Sequence, residues 1–144
     1  MVMIGIPGSG KSTWVSKNQK KAVIISPDQY LLEHHNYEWS IERVSDAWAD
    51  SYQRYAQLLK AEKDVIWDAT FTRMIDRSAV LNIAIGFGYH CTAVYLDTSL
   101  EVCLDRNEYR NRRSVPLNTI LHMSKGIQLP TKEEGFHSIV SING

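Results

Sequence analysis

The chain has 144 residues, 44% of them hydrophobic and 22% charged, and a formal net charge of zero. That is enough chain to bury one proper core, and it excludes low-complexity chains and a strongly basic surface, although a local basic cleft can sit inside a neutral total. Two cysteines without CxxC spacing, five histidines without an HExxH pattern, and no apolar stretch approaching about 20 residues predict reduced core cysteines, no histidine metal motif and no membrane helix. With no room for a leader before the first motif, a cytosolic protein is expected.

In chain order, Met1 to Ile6 is a short apolar run ending in Pro-Gly-Ser-Gly, which predicts a buried strand and a tight turn. A first helix is expected from Lys11 to about Lys20, and a second strand over Ala22 to Ser26, stopped by Pro27. Ile41, Val44, Trp48, Tyr55 and Leu59 recur at helical spacing and predict a long helix from Ser40 to Lys60. A third strand over Asp64 to Trp67 precedes a helix from Arg73 to Phe87, ended by Gly86 and Gly88. Cys91 to Leu96 reads as a fourth strand, Ser99 to about Arg112 as a helix, Leu117 to Ser124 as a short helix, and Phe136 to Ile142 as a last strand. Buried strands joined by helical crossovers predict a parallel five-stranded sheet covered on both faces, in one α/β domain spanning residues 1–144.

The segment Gly5-Ile6-Pro7-Gly8-Ser9-Gly10-Lys11-Ser12 is a complete GxxxxGK[ST] phosphate loop, extended by Thr13, with a strand leading in and a helix leading out. Gly8 and Gly10 let backbone N–H groups turn inward around phosphate oxygens, alongside Ser9, and the helix end adds its positive dipole. Lys11 would reach the β- and γ-phosphates, and Ser12 would ligate Mg²⁺. In an open α/β sheet the ligand crevice lies beyond the carboxyl ends of the strands, where Asp28 and Asp68 follow the second and third. One aspartate would take the proton of an attacking hydroxyl and the other would hold metal water or orient the acceptor. The alternatives are a helix N-cap for Asp28 and a turn residue for Asp68. Arg106, Arg110 and Arg113 fall at i, i+4 and i+7, so a continuing helix would place them on one face. That face is either a lid over the nucleotide, roughly residues 105–115, or a solvated stripe paired with Asp105 and Glu108.

Together these segments resemble the 5′-hydroxyl polynucleotide kinases over nearly the whole chain. Besides the phosphate loop, Ser26-Pro27-Asp28-Gln29-Tyr30 resembles the segment carrying the family's general base, which falls on Asp28. Asp68-Ala69-Thr70 is similar to the motif whose aspartate lies beside base and metal. Arg106-Asn107-Glu108-Tyr109-Arg110 resembles the lid segment, with Arg110 at the phosphate-contacting arginine, and Val115-Pro116 continues the match. Leu31 stands where the family carries an arginine for the acceptor's 3′-phosphate, and no DxDGT phosphatase motif occurs. Leu129 to Phe136 resembles a closing segment of small kinases of the same broader group.

The resemblance implies a P-loop kinase-type three-layer sandwich with a helical arginine lid, ATP as donor with Mg²⁺, and a DNA or RNA 5′ end as acceptor. In it Lys11, Asp28, Asp68 and Arg110 would be catalytic, while Gly8, Ser9, Gly10, Ser12, Thr13 and Arg106 would bind nucleotide. Trp39, Trp48 or Tyr52 could stack an acceptor base, though periodicity favours a core role for Trp48. A small-metabolite or nucleoside kinase would use the same ATP apparatus with another pocket, and an ATP-binding regulatory module would need no acceptor.

Overall fold

The computed structural model describes residues 1–110 and 114–144. Five short apolar runs become strands: β1 (Val2–Ile4), β2 (Val23–Ile25), β3 (Val65–Trp67), β4 (Thr92–Asp97) and β5 (Ser138–Asn143). All pair in parallel, in the order β2-β3-β1-β4-β5, with Val23 opposite Val65, Val2 opposite Ala93 and Thr92 opposite Ser138. Among the described residues, six α-helices connect them: α1 (Lys11–Asn18), α2 (Pro27–His35), α3 (Ile41–Lys60), α4 (Met74–Gly86), α5 (Leu100–Glu108) and α6 (Leu117–Lys125).

The two-residue period of a strand decides which helix each side chain meets. Val2 and Ile4 of β1 and Val65 and Trp67 of β3 join Tyr55 and Leu59 of α3 and Val80, Leu81 and Ala84 of α4 in one apolar cluster. Met3 and Ile66, one residue out of phase, meet Val15 of α1 with Val94 and Leu96 of β4 on the opposite face. A third cluster, Ile6, Cys103 and Ile120, seats α5 and α6 beneath the loop that follows β1. The sheet is therefore a middle layer, fully apolar in its central strands because both faces are covered. Cys91 and Cys103 are both buried free thiols.

The expected strands and helices exist, with differences that have physical causes. The segment after Pro27, expected as a strand stop with a helix start only as the alternative for Asp28, is a helix of nine residues. The fixed φ of Pro27 suits the first helical turn, Ser26 Oγ accepts from Gln29 N at 3.3 Å, and Asn36 ends the helix in the left-handed region. The helix expected to reach Arg112 stops at Glu108. Asn107 explains the stop: its side-chain amide donates to Val115 O at 2.8 Å and accepts from Val115 N at 2.9 Å, which turns the chain back on itself. Arg106 is thus helical and Arg110 is not, so they do not lie on one helical face, and Arg113 lies outside the described residues.

Candidate active site

The loop Gly5–Ser12 leaves the end of β1, the central strand, where the following strands diverge to opposite sides of the sheet. This is where an open parallel sheet places its ligand crevice. Gly8 has φ +85°, and a Cβ there would come within 2.3 Å of the Cys103 carbonyl oxygen, so no other residue fits. Gly10, at φ +97°, begins α1 with no side-chain cap, whereas α2, α3 and α5 are capped by Ser26, Ser40 and Ser99. The first-turn amides of α1 are left for a ligand, and the helix dipole favours an anionic one. Ser9 N donates to Ile6 O within the loop at 3.1 Å, while Gly5 N donates to Thr70 O at 3.0 Å and the Thr98 hydroxyl to Ser9 O at 2.9 Å, so the cradle is tied to its surroundings on two sides.

Lys11 is 8% exposed, and its ammonium donates to Gly5 O and Ile6 O, each at 2.9 Å, and to Ser9 Oγ at 3.4 Å. Burial lowers its pKa to about 8; Asp68 opposes that shift, Arg110 adds to it, and Asp28 opposes it. Lys11 therefore feels the charge of the three other residues named for chemistry, each from a separate stretch of chain. A phosphate group fits this cradle on two counts: a buried ammonium held only by neutral oxygens, and an uncapped helix end. Ser12 and Thr13 are in the first turn of α1 and are exposed.

Asp28 is the second residue of α2 and is exposed, and the cap of that helix is Ser26, so the capping alternative for Asp28 is excluded. Asp68 is half-buried directly beyond β3, its N–H donating to Ile25 O at 2.8 Å, which sets it beside the end of β2. Arg106 reaches over the loop, with Nη1 3.4 Å from Gly8 O. Arg110 is half-buried just after α5.

Of the aromatic residues named for base stacking, Trp48 stacks on Trp67 with centroids 5.9 Å apart and rings 18° from parallel, and Tyr52 packs on Trp67 at 5.3 Å. Both belong to the core stack. Trp39 is 73% exposed. Leu31 is buried, and Arg43 is ion-paired with Glu38.

Several residues that shape the site were not singled out by sequence. Thr98 clamps Ser9, Asn107 ties the end of α5 to Val115, and Arg77 and Glu134 lock the loop after β3. An uncompensated polar residue inside an apolar helical pattern (Asn107 in α5, Arg77 in α4) is the signal that could have marked two of them.

A parallel sheet of this order, a P-loop on its central strand and a buried loop lysine define a P-loop domain with the kinase-type fold and a nucleotide-binding loop. The chain belongs to the AAA domain family, whose model matches residues 1–130. It is 25% identical over 146 residues to the bifunctional polynucleotide phosphatase/kinase of Schizosaccharomyces pombe, covering 99% of this chain and 33% of that protein. The chain thus spans about a third of that relative's length. Among solved structures, a gluconokinase from Sinorhizobium meliloti 1021 superposes with a TM-score of 0.66 at 17% identity, covering 99% of this chain and 80% of that one. A chain of the Pnkp1/Rnl/Hen1 RNA repair complex gives 0.71 at 19% identity, covering 87% of this chain and 41% of that one. At such identities these likenesses are of fold. Among the described residues, no helix is long and apolar enough to cross a membrane.

Proposed function

We propose that the chain transfers the γ-phosphoryl group of Mg·ATP to the 5′-hydroxyl end of a polynucleotide, DNA or RNA. The observation that carries this reading is the placement of Asp28 and Asp68 just beyond the carboxyl ends of β2 and β3, the edge of the sheet at which the P-loop leaves β1 and buries the Lys11 ammonium. In phosphoryl transfer the protein contributes positioning and charge, and this set supplies both. The loop amides and Lys11 hold the β- and γ-phosphates, Arg106 covers the loop, and Ser12 would hold a magnesium ion, whose charge would offset that of the phosphates. Asp28, exposed at the crevice, accepts the proton of the attacking hydroxyl, and Asp68 orients the acceptor or a metal-bound water. Arg110 stabilises charge on the transferred group. The polynucleotide acceptor is supported by the sequence likeness to a polynucleotide phosphatase/kinase along the whole chain.

A second reading, a small-molecule or nucleoside kinase with the same ATP site, is favoured by one observation. Leu31, where an arginine would grip an acceptor phosphate, is buried and apolar. One assay separates the two: γ-labelled ATP with Mg²⁺, offered 5′-hydroxyl DNA, 5′-hydroxyl RNA, nucleosides and common metabolites. Label on oligonucleotide 5′ ends is expected. Label only on nucleosides or metabolites would overturn the first reading in favour of the second, and phosphate release without any labelled acceptor would refute both.

A further inference from the structure

Arg77 and Glu134 form an ion pair whose side chains are 0% and 2% exposed. The guanidinium donates twice to the carboxylate, at 2.7 and 2.6 Å, and also to Phe71 O and Gln128 O, each at 2.9 Å. Glu134 in turn accepts from Thr131 N at 3.1 Å. Gln128 completes the clip: its N–H donates to Thr72 O at 2.8 Å and its side-chain oxygen accepts from Met74 N at 2.7 Å. One side chain thus joins the loop after β3, the segment after α6 and the 3₁₀ turn Lys132–Glu134.

A buried ion pair is weak evidence for stability, since an apolar pair of the same shape often does as well. What this pair holds is more telling. Phe71 has φ +44°, a left-handed backbone that is a genuine outlier for a bulky residue and persists only where its surroundings enforce it. Its carbonyl is held by Arg77, and its ring is wedged edge-on against Trp48 at 5.8 Å and Trp67 at 5.7 Å. One residue earlier, Thr70 O receives the Gly5 N–H of the phosphate loop, and three residues earlier stands Asp68.

We propose that Arg77 is a positioning residue for phosphoryl transfer: with Glu134 it locks residues 68–72 in the strained conformation that presents Asp68 to the crevice beside Lys11. The proposal rests on the kinase reading of that crevice. Without the guanidinium, Phe71 relaxes to negative φ, its flanking peptides rotate, and Asp68 drifts while the phosphate cradle, tied separately by Thr98 and by Lys11, still binds nucleotide.

The test compares wild type with Glu134→Gln and Arg77→Lys. Glu134→Gln keeps the shape and one accepting oxygen; Arg77→Lys keeps the charge and loses the fork. Both are expected to hold nucleotide within about threefold of wild type and to lose about 10- to 100-fold in kcat, because a misplacement near 1 Å can cost that much. A role in stability alone would lower the unfolding midpoint and leave kcat of the folded protein unchanged, and that result overturns the proposal. Amide hydrogen exchange supplies a readout that needs neither an acceptor nor a folded variant. In wild type the Gly5, Met74 and Gln128 amides are expected to exchange as slowly as those of β1 and β3, and local opening at these amides overturns the proposal. Were wild type to label no acceptor, the kinase reading would fall by itself. Faster exchange at Gly5 and Met74 in Glu134→Gln, beyond the change in global stability, would then still support the clip, and unchanged exchange would refute it.

Discussion

Lys11 carries a prediction whose size follows from its surroundings. Burial depresses its pKa from 10.5 to about 8, so the unliganded protein loses the ammonium charge just above neutrality. A polyphosphate in the cradle favours the charged form and draws the pKa back up, so nucleotide binding takes up a proton above about pH 8. The terminal phosphate, with a second pKa near 6, is already fully ionised there and does not contribute. Apparent affinity then falls in proportion to the protonated fraction, about nine-tenths at pH 7 and about one-tenth at pH 9, which is roughly tenfold, or about 1.4 kcal/mol.

The same shift sets the pH dependence of the unliganded fold. Between about 8 and 10.5 the unfolded chain binds more protons than the folded one, so this group's contribution makes stability rise with pH in that window. Below about pH 8 the full cost of burying the charge, on the order of 3 kcal/mol, is present. Titration calorimetry of an unreactive ATP analogue with Mg²⁺ from pH 6.5 to 9.5, in buffers of different ionisation enthalpy, reads affinity and proton uptake together. Lys11→Arg, whose guanidinium stays charged throughout, should lose the alkaline decline whatever its starting affinity. A wild-type affinity flat to pH 9.5, or one without proton uptake, would refute the claim that a desolvated Lys11 meets the phosphates.

Lys11→Ala should remove a charge from the transition state and slow transfer by about 10²-fold or more while the protein stays folded, as circular dichroism beside turnover would show. Asp28→Asn should lower kcat by about 10²-fold with ATP binding preserved, whereas Ser26→Ala, which removes the actual cap of α2, should cost about 1 kcal/mol in denaturant unfolding. Equal small effects from both substitutions would show that Asp28 is not the base. Gly8→Ala should abolish nucleotide binding and destabilise the fold, since its Cβ would meet the Cys103 carbonyl at 2.3 Å and its φ of +85° suits only glycine. Retained binding, read by titration of a fluorescent nucleotide, would mean the loop is held more loosely than the packing against α5 requires.

What could be read without tertiary structure is what local chemistry dictates. The five apolar runs, the helical period of Ile41–Lys60 and the glycine pattern of the phosphate loop are short-range features, because strand period, helix period and φ > 0 are properties of neighbouring residues. The aspartates after β2 and β3 were legible for the same reason, since a residue following a buried strand must lie at the sheet's carboxyl edge. The helix Pro27–His35 stood only as an alternative because its start signal, Ser26-Pro27, doubles as a strand stop, and only packing against α3 decides between them. The reach of α5 was overestimated because its end is set by Asn107 bonding Val115, eight residues on, a contact no helical period encodes. Arg77 and Glu134 are 57 residues apart, so although Arg77 stands out in the apolar pattern of its helix, nothing local names Glu134 as its partner. Burial and pairing are properties of two distant stretches at once, so only the folded chain decides that this arginine lies in the core and that Phe71 is held in the left-handed region beside the site.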